Sequence, residues 1–163
     1  MSKWHDWLEV DFVGPREWVL TEPLTFEVEK FRVPDMVATL ADWKQMDIQF
    51  SDTPDSILIT VPIGYHTDLA SVSRAMWSIL APWDVARGAV VHDALYGAIR
   101  KCKEAGTMSK EHIKRLRRQA DDIFKLGMDA ADPKVPNWKI VTCYYSVRSF
   151  GWTSIMKKAK FAN

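Results

Sequence analysis

Apolar and polar residues alternate with a period of two in several stretches of the first third of the chain, the signature of half-buried strands. In LTFEVEKFRV, Phe26, Val28 and Phe31 are separated by Glu27, Glu29 and Lys30. The alternation slips at Lys30, so a bulge or a strand end is predicted there. WLEVDFV and REWVL flank Gly14-Pro15 and predict a hairpin. MDIQF and SILITV form a second strand pair around the turn SDTPDS. Between these pairs Pro34 stops a strand. Asp35 is expected to cap a short helix, MVATLADWK, with Met36, Leu40 and Trp43 on one face.

After Pro62 the period becomes helical. SRAMWSIL runs to Pro82, and Asp84 is expected to cap VARGAVVHDALYGAIRKC, whose positions 85, 89, 92, 96 and 99 form a stripe that includes His92. Ser109 caps KEHIKRLRRQADDIFKLGM, with Ile113, Leu116, Ala120, Ile123, Phe124 and Gly127 inward and Lys114, Arg115, Arg117 and Arg118 outward. NWKIVTCYYSVRSFGWTSIM is a terminal helix, with a break expected at Gly151. Strands followed by helices predict an α+β fold: antiparallel strands and hairpins packed on a C-terminal cluster of about four helices. One domain over residues 1–163 is expected, β-rich over 1–62 and helical over 69–156.

Composition narrows the setting. No apolar run approaches the roughly 20 residues of a membrane span. MSKWHDWLEV lacks the apolar core of a signal peptide. Cys102 and Cys143 are isolated, with no metal-thiolate spacing, and fit a reducing compartment. Charge is uneven. Residues 1–60 hold 5 Lys/Arg against 12 Asp/Glu (−7), and residues 61–163 hold 17 against 9 (+8). The two halves therefore attract each other or different partners. The basic run Lys110 to Arg118 is one face of an amphipathic helix with no stacking motif beside it, so a nucleic-acid partner is not expected.

Three polar clusters are the candidates for chemistry: His66-Thr67-Asp68, His92-Asp93 with Tyr96 one turn later, and Asp121-Asp122. His92 and Asp121 both fall on inward helix faces, and buried polar groups need partners. A divalent metal would satisfy them, since imidazole and carboxylate are normal ligands for zinc or manganese and carboxylates suit magnesium. The order His…His-Asp…Asp is similar in ligand set to the HD-type metal phosphohydrolases. The alternatives are structural. Asp68, Ser71 or Ser73 would cap the following helix, His92 would bond Asp68 or Asp121 with no metal, and Asp93 and Asp122 would pair with Arg side chains at the surface.

The strings ITVPIGYHTDLASVSRAMWSIL, AVVHDALY, ADDIFKLGM and YYSVRSFGW resemble an uncharacterised family found mainly in tailed phages and prophages, the domain of unknown function 1353. The resemblance covers about residues 56–152. Thr67, Asp68, Ser71, Arg74, His92, Asp93, Tyr96, Asp121 and Phe124 fall on the family pattern, whereas His66 falls where the family varies. The segment around residues 30–55 looks like an insertion. The resemblance implies a phage context and no established activity.

Two expectations follow. In the first, a small metal-dependent hydrolase of a phosphoester or cell-wall bond holds its ion on Asp68, His92 and Asp121. Asp68 and Asp93 are its catalytic carboxylates, Asp93 orienting His92 or acting as base. Thr67, Ser71 and Tyr96 stand behind them, and His66 and Asp122 are secondary candidates. In the second, a non-catalytic virion or tail-associated protein uses the His/Asp cluster as a buried hydrogen-bond network. Its Trp-rich acidic N-terminal half then docks on other virion or tail proteins. Either way the expected location is the host cytoplasm during infection or the particle itself.

Overall fold

The computed structural model describes residues 1–15, 17–46, 48–67 and 82–156, without the side chains of 82–84 and 152–156. Among the described residues seven short strands precede the long helices. β1 (Lys3–Trp4), β4 (Leu24–Glu29), β6 (Ser56–Val61) and β5 (Gln49–Asp52) form one antiparallel sheet in the order β1-β4-β6-β5. β2 (Val10–Gly14), β3 (Glu17–Leu20) and β7 (His66–Thr67) form a second antiparallel sheet in the order β2-β3-β7. Two short helices, α1 (Pro34–Ala38) and α2 (Leu40–Lys44), lie between β4 and β5. Three long helices follow: α3 (Pro82–Glu104), α4 (Lys110–Asp129) and α5 (Asn137–Met156). This is the α+β arrangement that the pattern predicts.

Alternation places the core. Leu24, Phe26 and Val28 of β4 and Ile57, Ile59 and Val61 of β6 point inward, opposite each other in register as Leu24–Val61, Phe26–Ile59 and Val28–Ile57. They meet Leu95 and Ile99 of α3 and Leu116 and Ile123 of α4 in one cluster that spans strands and helices. A second cluster joins Val85 and Ala89 of α3 to Phe124 and Met128 of α4 and to Ile140, Cys143 and Val147 of α5. The stripe of Val85, Ala89, His92, Tyr96 and Ile99 is buried along its whole length. No described helix is long and apolar enough to cross a membrane.

Several expectations need correction. The strand does end at the slip predicted at Lys30, stopping at Glu29 and passing into a 3-10 turn over Lys30–Arg32, but Phe31, counted with Phe26 and Val28, turns out to solvent at 78% exposure. Helix α1 starts at Pro34, whose missing N–H suits a first helical position, so Asp35 lies inside the helix and is not its cap. The MVATLADWK helix is broken into two at Thr39, although Met36, Leu40 and Trp43 all reach the core as expected. Helix α3 likewise begins at Pro82, which puts Asp84 within its first turn. Ser109 does cap α4, its hydroxyl accepting from the His112 amide. Helix α5 runs unbroken through Gly151. The glycine serves close approach and not a break: a Cβ there would lie 2.5 Å from the Tyr96 hydroxyl. The expected helix over SRAMWSIL lies outside the described residues.

The break at Thr39 has a buried anchor. Gln119 of α4 accepts from Thr39 Oγ1 (2.9 Å) and from the Trp43 indole (2.8 Å) through one oxygen, and its amide donates to the Asp35 carbonyl (2.9 Å). All three side chains are buried, so their polar atoms depend on one another. The Gln119→Ala variant leaves the buried Trp43 indole N–H without an acceptor, while the Thr39 hydroxyl keeps the Asp35 and Met36 carbonyls. It should lose about 1–3 kcal/mol for that orphaned group in urea unfolding followed by Trp fluorescence.

Candidate functional site

His92 and Tyr96 stand one turn apart on α3, and their rings stack with centroids 4.1 Å apart. Both point at α4, where the Phe124 ring lies 5.1 Å from the His92 ring. Between them is Asp121, with no exposed surface. Its Oδ1 accepts from His92 Nε2 (2.9 Å) and from the Tyr96 hydroxyl (2.6 Å). Its Oδ2 accepts from the Arg148 guanidinium (2.8 Å), which reaches in from α5. One carboxylate thus ties three helices together.

Electrostatics follow from this geometry. Burial pushes the Asp121 carboxyl upward, but the bonds from His92, Tyr96 and Arg148 outweigh it and hold the group below the ordinary carboxylate range. Burial, with the adjacent Asp121 charge, raises the Tyr96 phenol, so it remains a donor. Burial alone would lower the Arg148 guanidinium. The Asp121 carboxylate reverses that and raises it. An ionised carboxylate only accepts, so the proton between His92 and Asp121 sits on Nε2. His92 Nδ1 is buried and has no hydrogen-bond partner among the described residues.

The other candidates are placed around this centre. Strand alternation in β7 sends His66 and Thr67 to opposite sides. His66 Nδ1 meets Glu17 Oε1 at 2.8 Å near the surface, away from the cluster. Thr67 is buried and donates to Asp93 Oδ2 at 3.0 Å, which pins β7 to α3. Asp93 is half-buried and follows His92 on the next side of the helix. The carboxylate that orients His92 is Asp121. Asp122 accepts from the Tyr144 hydroxyl of α5 (2.7 Å). Burial, then that bond, raises the Tyr144 phenol to about 12. Asp68 and Ser71 lie outside the described residues, and so does Arg74.

Arg148 is the functional side chain that sequence reasoning passed over. A signal existed: it is the lone charged residue between Lys139 and Lys157, in a helix whose other residues there are apolar, aromatic or small hydroxyl side chains. A charge isolated in such a run needs a buried counter-charge. Three donors take three of the roughly four acceptor sites of Asp121, which makes it the carboxylate behind His92. Among the described residues no three His, Cys, Asp or Glu side chains are grouped as a metal site.

The fold is thus an α+β domain whose helices close around a buried histidine–carboxylate–arginine centre. The family model described as "Protein of unknown function (DUF1353)" matches residues 44–147, and the chain belongs to that family. The match contains His92, Tyr96 and Asp121 and stops one residue short of Arg148. Comparison with curated proteins and with solved structures finds no match.

Asp121 makes stability depend on acid. Its folded pKa is lowered, so its contribution is complete above the unfolded value of about 3.9 and is lost as pH falls through the folded value. The Asp121→Asn variant should be less stable than the wild type by about 3 kcal/mol at neutral pH. That gap should narrow in urea titrations carried below about pH 4.

Proposed function

We propose that this protein is a non-catalytic assembly component, in which the Asp121 centre is a packing lock and the working surface is on the outside. One observation carries the reading: both oxygens of a fully buried carboxylate are filled by His92, Tyr96 and Arg148. A general base or a metal ligand needs a lone pair facing substrate or ion, and Asp121 has no exposed surface and gives three of its roughly four acceptor sites to neighbouring helices. The phage context implied by the family resemblance suits a virion or tail-associated protein. The exposed Trp7 and Phe12 in the acidic N-terminal half offer a docking surface for such partners.

A second reading has its own observation, the buried His92 Nδ1 without a described partner. A carboxylate behind one ring nitrogen orients a histidine to bind zinc or manganese through the other. Asp121 then stands behind the ligand, and Asp68 and Asp93 supply the oxygens of a hydrolytic site.

Elemental analysis of protein purified without chelator, with melting curves in added zinc, manganese and magnesium, separates the two. Assembly predicts substoichiometric metal, an unchanged Tm, and a His92→Gln variant that only loses stability. Stoichiometric metal that raises Tm in the wild type and not in His92→Gln would favour the hydrolase instead.

A further inference from the structure

Helix α5 is apolar on its outer side as well as its inner side. Ile140, Cys143 and Val147 are buried against the bundle, while Trp138, Val141 and Tyr145 are 57%, 37% and 64% exposed. Spacings of three and four place these last three on one outward stripe. A helix apolar on both sides is ordinarily covered.

The neighbouring surface is basic. Lys114, Arg118 and Lys125 share a helical row with Asp121, the residue through which α4 grips α5. Lys125 lies level with the stripe, and Arg118 and Lys114 continue the row beside the C-terminal half of α5. All three are exposed, and the Lys125 ammonium lies 5.5 Å from the centre of the Tyr144 ring on α5. None of the three makes an ion pair among the described residues.

The complementary chemistry lies on the β2–β3 hairpin. Phe12 and Val13 are 67% and 54% exposed on β2, the outer strand of its sheet, and Trp7 just before it is 73% exposed. Glu9 and Asp11 beside them are exposed and have no ion pair among the described residues. Some other acids of this half are matched within the fold, Glu27 by Lys3 and Asp52 by Lys30, while Glu22, Asp35 and Asp55 are exposed and lie outside the hairpin. The −7 and +8 halves of the chain therefore still present unmatched charge at two separate apolar patches.

We propose that the protein self-associates head to tail, the acidic Phe12–Val13 edge of one copy seated on the Trp138–Val141–Tyr145 stripe and basic α4 flank of the next. A second copy is the occupant the charges favour, because it covers both patches with one contact. A nucleic-acid strand would match the basic flank and leave the acidic hairpin bare. The two patches differ, so the contact is heterologous and repeats into a ring or a filament instead of closing as a two-fold dimer. The inference rests on the assembly reading above and gives it a partner.

Sedimentation velocity of the full chain, with two variants, tests it. Wild type should show a weight-average mass at least about twice the monomer. That mass should fall toward the monomer as salt rises from about 0.05 M to about 0.5 M. A hairpin variant (Phe12→Ser with Val13→Ser) and a helix variant (Val141→Asp with Tyr145→Asp), each checked for wild-type circular dichroism, should be monomeric alone. Mixed, they should form a capped one-to-one heterodimer, because one intact hairpin still meets one intact α5. A monomeric wild type, variants that still associate, or a mixture that stays monomeric would each overturn the proposal. So would a fluorescent single-stranded oligonucleotide that binds the monomer and is lost in the helix variant. Detection of the chain in purified particles despite a monomeric wild type would discard self-association and keep the assembly reading.

Discussion

An ionised carboxylate in a protein core costs several kcal/mol unless donors surround it. Asp121 meets that condition only because three helices converge on it, and much of the helical half is arranged to keep them there. Helix α3 contributes two donors one turn apart, His92 and Tyr96. Helix α5 contributes Arg148, and Gly151 lets it pass close to the Tyr96 hydroxyl. Phe124 packs on the His92 ring and fixes its plane. Removing any donor leaves a buried charge short of a partner, so the centre specifies helix positions more sharply than apolar packing alone would.

Helix α4 is the element on which the rest is hung. On one side it holds Asp121 for α3 and α5. On another it offers Gln119 to Thr39 and Trp43, which fixes the α1–α2 segment. Near its end the Gly127 carbonyl accepts from the Trp4 indole at 2.9 Å, and a Cβ at Gly127 would lie 2.9 Å from that indole ring. Arg87 of α3 then stacks against both Trp4 and Trp7, at 5.4 and 5.3 Å from the ring centres. Strand β1 is thereby secured to the helices although it is only two residues long. Polar chemistry is turned inward to hold elements together, while aromatic side chains are left outside on the hairpin and on α5.

Much of the fold was legible because its cause is local. The alternation in Leu24–Glu29 and Ser56–Val61, the turn at Gly14-Pro15, the Ser109 cap and the stripe from Val85 to Ile99 each follow from neighbours in the chain, and each appears where expected. Errors fell where a local cue met a distant partner. Thr39 breaks a helix that periodicity would continue, and its hydroxyl bonds Gln119, eighty positions away in the chain. Gly151 reads as a helix breaker but is an approach point for Tyr96. Phe31 continues the apolar count but follows the chain out of the sheet.

The candidate site divides in the same way. By itself the sequence determined that His92, Tyr96 and Asp121 face inward, because helical period alone sets which side of a helix a residue occupies. It could not determine what they meet there. That Asp121 is filled by His92, Tyr96 and Arg148, that Thr67 goes to Asp93, and that His66 goes to Glu17 were decided by the tertiary structure alone. Burial makes a partner obligatory, and only the packing of distant elements says which partner it is.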